Sequence, residues 1–138
     1  MKKLLFIAAL VMLTGIIHCQ ILKKDAVIAV STYTVALQPG ITMEQYVDFL
    51  MKKYIPEYEK NFPGSKMYIL RGDRGEKKDQ IGFMWYFESV KVRDKYYPTE
   101  FDFSDAAQLA WGRLDALNEE ESKFAVNSSR IYTDWIIK

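Results

Sequence analysis

The chain is nearly without the residues that carry much of enzyme chemistry: among 138 residues there is one histidine, His18, and one cysteine, Cys19. A single cysteine forms no internal disulfide, so a disulfide framework is excluded. Because His18 lies in the N-terminal segment expected to be removed, leaving no histidine and at most a modified cysteine, imidazole general-base catalysis, Ser-His or Cys-His nucleophilic catalysis, histidine-ligated haem and nitrogen/sulfur zinc sites all lose their central group. No basic stripe stands out, so the footprint of a nucleic-acid binder is missing too. There is no internal repeat and no low-complexity linker. Aspartate, glutamate, tyrosine, lysine, arginine and serine are left to carry any chemistry, no metal site is expected, and no cofactor is called for.

The two scarce residues lie together at the end of an apolar run. Lys2 and Lys3 precede Leu4 to Ile17, and His18, Cys19 and Gln20 break the run. A positive start, an apolar middle and a polar exit within about 20 residues make a secretory signal. The run is shorter than the roughly 20 residues of a spanning helix. Residues 1–19 are therefore expected to be a signal peptide and the protein to be extracytoplasmic, periplasmic or secreted. Cys19 allows two processing routes: cleavage after it, or lipidation of Cys19 as the first residue of a lipoprotein. Ile16-Ile17-His18 lack the small residue that lipoprotein signals carry before the cysteine. Any membrane contact is expected only through the signal or that lipid. Loss of Lys2 and Lys3 takes Lys+Arg from 19 to 17 against 18 Asp+Glu, a mature charge near −1.

The rest reads as one domain over residues 26–138. Ala26 to Leu37 is rich in β-branched residues and predicts a strand, ended by Gln38-Pro39-Gly40. Thr42 and Gln45 have capping-box spacing. Val47, Leu50, Tyr54 and Tyr58 follow at helical steps, with Pro56 expected to kink or divide that helix. Strands are predicted at Met67 to Arg71 and Ile81 to Glu88 around a polar, glycine-bearing loop. A short helix is predicted over Val90 to Tyr97. A longer one follows from the Ser104 cap, with Ala107, Ala110, Leu114 and Leu117 on one face. Arg130 to Ile137 is the last predicted strand. This order is β-α-β-β-α-β, the split-βαβ, ferredoxin-like arrangement: an α+β fold with a four-stranded antiparallel sheet and helices on one face. The other sheet face would carry Ile28, Val30 and Thr32, with Met84 and Ile136 as further candidates. That face is too apolar to leave wet.

The strand ending Leu37-Gln38-Pro39-Gly40, the amphipathic helix after it, and Phe87-Glu88-Ser89-Val90 closing the third strand resemble the dimeric α+β-barrel superfamily. That group includes stress-responsive barrel proteins, cofactor-free monooxygenases and small polyketide cyclases. The resemblance implies a homodimer closed sheet to sheet and a ligand cavity under the helices. Alternation groups Ser31 and Tyr33 with Val35 and Leu37, and Phe83 and Trp85 with Phe87. By that resemblance these face the helices, where Tyr46 or Tyr54 would complete a site for a small apolar or aromatic ligand. The same residues also read as ordinary filled core. Three functions stay open: a binding module, a cofactor-independent monooxygenase- or isomerase-like enzyme using Tyr33 and Trp85, and an envelope protein-interaction module. Other features look structural: Arg93-Asp94 a surface pair, Glu119 to Glu121 a solvated helix end, Arg71-Gly72-Asp73 a turn, and Asn127-Ser128-Ser129 a chance glycosylation match.

Overall fold

The computed structural model describes residues 22–100 and 102–138; the expected signal and Cys19 lie outside them. Four strands, β1 (Val27–Leu37), β2 (Ser65–Arg71), β3 (Ile81–Phe87) and β4 (Ala125–Ile136), form one sheet in the order β2-β3-β1-β4. Every neighbouring pair is antiparallel. This is the predicted ferredoxin-like α+β sheet, and within one chain it is open, with β2 and β4 at its edges.

The first helical stretch begins as its sequence requires. The Thr42 amide donates to Gln45 Oε1 at 2.8 Å and the Gln45 amide to Thr42 Oγ1 at 3.2 Å, which starts α1 (Met43–Phe49). A π turn over Leu50–Tyr54 then leads into α2 (Ile55–Asn61). Proline lacks an amide hydrogen and its ring crowds the carbonyl a turn earlier, so widening the helix just before Pro56 relieves both. Pro56 thus divides the stretch without ending it. Tyr46, Phe49, Leu50, Tyr54 and Tyr58 are buried along it.

After β3 come α3 (Val90–Tyr96), α4 (Asp105–Gly112) and α5 (Asp115–Glu121). The Ser89 and Ser104 hydroxyls cap α3 and α4, accepting from the Val92 and Ala107 amides. The expected single helix after Ser104 is two, broken around Arg113 and Leu114, although Ala107, Ala110 and Leu114 are buried as the spacing implied.

The final strand starts five residues before its predicted beginning. Its pairing with β1 shifts between Thr32↔Ile131 and Thr34↔Ser128, so β4 has two residues, Ser129 and Arg130, opposite Tyr33. Strict alternation would put Asn127 and Ile131 on one face; the bulge puts them on opposite faces. Ile131 faces outward, 58% exposed, while Asn127 faces the helices. The same register corrects one expectation. Ile136 pairs with Val27 on the helix side, and Trp135, opposite Ile28, takes the outer position.

Candidate functional site

A cavity of about 630 Å³ lies on the helix side of the sheet. Its floor is Ala29 and Tyr33 of β1, Trp85 and Phe87 of β3, and Arg130, Tyr132 and Asp134 of β4; Arg93 and Tyr97 of the α3 region and Trp111 of α4 line it further, and the exposed residues 98–100, 102 and 103 border its open mouth. The volume falls in the range of small-molecule sites.

Two of the six predicted ligand residues, Tyr33 and Trp85, border this space. Phe83 does not: it packs edge-on to Tyr33, 5.5 Å between ring centroids, and 5.9 Å from Trp85, supporting both from within the core. Ser31 is fully buried and acts through a neighbour, accepting from Arg130 Nε at 3.1 Å. Tyr46 and Tyr54 lie elsewhere. The Tyr46 hydroxyl donates to Glu121 Oε1 at 2.6 Å and accepts from Asn127 Nδ2 at 2.8 Å. The Tyr54 hydroxyl donates to Asn118 Oδ1 at 2.9 Å. Both come from the part of the first helical stretch that packs on α5, and the cavity opens nearer α3 and α4.

The polar end of the cavity comes from residues that looked unremarkable in sequence. Arg93 is no surface pair: its side chain is only 21% exposed and binds Asp134 as well as Asp94. The Tyr132 hydroxyl also donates to Asp134. Burial and that carboxylate hold the Tyr132 hydroxyl well above the usual phenol range. The Arg130 guanidinium lies over the Tyr132 ring, 4.5 Å from its centroid. Among the described residues, no carboxylate stands within ion-pair distance of Arg130.

A second polar group hangs from the roof. Tyr58 and Trp111 pack 5.9 Å apart, and the buried Tyr58 hydroxyl and Trp111 Nε1 both face the Tyr97 hydroxyl without a well-formed hydrogen bond among the described residues. Burial pushes the Tyr97 hydroxyl up to about 12, against the opposing pull of Tyr58, Trp111 and Arg130, which face it.

The Glu119 to Glu121 run also differs from the solvated end expected of it. Glu121 is tied to Tyr46 and Asn127, and burial raises its carboxyl pKa above the ordinary value. Asn127 is thereby engaged within the fold rather than presented as a glycosylation site. The missed residues left one sequence signal, the alternation Arg130, Tyr132, Asp134. It could be placed on a face only once β4 was paired.

No family model matches the sequence, and no curated protein matches it at a significant level. Solved structures do align. An uncharacterised NIPSNAP-like domain protein from Burkholderia xenovorans superposes with a TM-score of 0.54 at 9% identity, over 84% of this chain and 88% of that one. A NIPSNAP family protein from Agrobacterium tumefaciens gives 0.50 at 14% identity, over 80% and 91%. A cofactor-independent oxygenase from Streptomyces nogalater gives 0.45 at 13% identity, over 83% and 94%. At such identities a likeness speaks for architecture alone. The chain therefore shares with the NIPSNAP-like proteins the ferredoxin-like fold that its own sequence pattern predicts.

Proposed function

We propose that this is an exported, homodimeric ferredoxin-like protein that binds a small aromatic or apolar ligand in the cavity beneath α3 and α4. One observation carries the reading: the aromatics on the helix side of the sheet do not fill it, and Tyr33 and Trp85 border about 630 Å³ of open space. Binding without catalysis is favoured over the enzyme reading by the state of the ionisable groups. Tyr97 and Tyr132 are shifted upward, toward the protonated form that is a poor base. Asp134 is occupied by Arg93 and Tyr132.

Thermal denaturation with a panel of small aromatic and apolar compounds tests this. A ligand of the folded form raises apparent stability by about 2.7 kcal/mol at a hundred times its Kd. Trp85→Ala should weaken that gain and leave assembly intact. If no compound shifts the wild type, and Trp85→Ala costs the ~3–5 kcal/mol of a truncated core aromatic, the cavity reading is lost and the interaction-module reading replaces it.

Export rests on the charge and hydropathy pattern of residues 1–19. Native protein should begin at Cys19 or Gln20, with a mass increment at Cys19 if it is lipidated. Intact Met1 to Ile17 on the native protein would point instead to an uncleaved anchor.

A further inference from the structure

We propose that the ligand is an aromatic carboxylate, its ring held among Trp85, Tyr33 and Phe103 and its anion taken by Arg130. This deepens the binding reading above and rests on it.

Trp111 Nε1 and the Tyr58 hydroxyl are buried against the Tyr97 hydroxyl and are not offered to a ligand, so the charged groups decide what the cavity accepts. Of the two arginines, Arg93 is committed to Asp94 and Asp134. Arg130 uses Nε on Ser31 and rests its guanidinium on the Tyr132 ring. Its terminal nitrogens make no ion pair or hydrogen bond among the described residues. A guanidinium oriented by stacking and one hydrogen bond offers its remaining fork to a planar anion, and a carboxylate fits that fork.

Three carboxylates also border the cavity and limit the charge it accepts. Asp134 is balanced by Arg93 and by the Tyr132 hydroxyl. Glu100 and Asp102 sit exposed on the connection into α4, with Asp102 accepting from the Thr99 hydroxyl at 2.8 Å. Exposed charges at the mouth are screened by salt, yet they oppose a doubly charged guest. One free arginine in a cavity that two exposed carboxylates also border favours a monoanion over a phosphate dianion.

Calorimetric titration of the purified protein with three probes of one shape tests the assignment: 2-naphthoate, neutral 2-naphthalenemethanol and cationic 2-naphthylmethylammonium. Naphthoate should bind about tenfold or more tightly than the alcohol, a difference of roughly 1.4 kcal/mol. Arg130→Gln should erase that preference, and Arg130→Lys should restore part of it. If the alcohol or the ammonium binds as tightly as naphthoate, the anionic class is wrong and the cavity reading survives. A preference that persists in folded Arg130→Gln overturns the role of Arg130. Failure of all three probes to bind overturns the carboxylate assignment and counts against the cavity reading as well.

Discussion

Glu121 illustrates how far a side chain's neighbours override its type. In sequence it belongs to a run of three glutamates that reads as solvent-facing. In the fold its carboxylate receives the Tyr46 hydroxyl and the Asn127 amide, and burial raises its pKa. A raised carboxyl pKa means that the folded state resists ionisation. Stability from this group is fully present below the unfolded value near 4.3 and declines as pH rises through the folded pKa. Glu121→Gln keeps an acceptor for Tyr46 and removes the charge. The difference in Tm, variant minus wild type, should therefore be more positive at pH 7 than at pH 3.5. Thermal melts at the two pH values check this; a difference independent of pH would mean that Glu121 is solvated after all. Asp134 tells the same story within the cavity, since nothing in its local sequence distinguishes it from a surface charge, yet its side chain is held by Arg93 and Tyr132.

At the scale of elements, local chemistry was legible wherever it is short-range. The capping box at Thr42 and Gln45, the Ser104 cap and the disturbance at Pro56 depend on residues within a turn of one another, and each is in place. Features set by pairing were not legible, including the bulge opposite Tyr33 and the early start of β4. The turn from α2 into β2 combines both kinds. Gly64 has φ +88°, and a Cβ there would lie 2.8 Å from Val92 Cγ1, whereas Gly40, at φ +81°, would meet nothing within 4 Å. Left-handed backbone costs a non-glycine residue about 1–3 kcal/mol. Gly40→Ala should show that backbone cost alone, and Gly64→Ala should show more because α3 must yield as well. Chemical denaturation of the pair measures the difference. Equal losses would indicate that Val92 moves aside freely.

At the scale of the whole molecule, the outer face of the sheet presents an apolar surface. Ile28, Val30 and Met84 occupy its centre by register, flanked by Trp135 at 60%, Ile131 at 58% and Tyr68 at 38% exposure. An apolar face of this kind is self-complementary when two copies meet about a two-fold axis. Ile131→Lys places a charge on that face without disturbing the core of one chain. Sedimentation should show dimer for the wild type and monomer for the variant, with the Tm of the variant lower and dependent on concentration only weakly. A monomeric wild type at micromolar concentration would rule out assembly through this face.

The sequence by itself determined the order of elements, the strand faces of β1 and β3, and the poverty of histidine and cysteine chemistry. These follow from periodicity, capping and composition, which are local or cumulative. Only the tertiary structure decided which aromatics border open space. Tyr33, Phe83 and Trp85 share one face, yet Tyr33 and Trp85 border the cavity while Phe83 packs within the core. Tyr46 and Tyr54, equally aromatic and equally placed on a helix, are drawn to α5 by Glu121 and Asn118. The polar end of the cavity depends on β4, whose face assignment reverses at a single extra residue. A shift of one position along a strand changes every side chain's side of the sheet, and only pairing with β1 selects between the two.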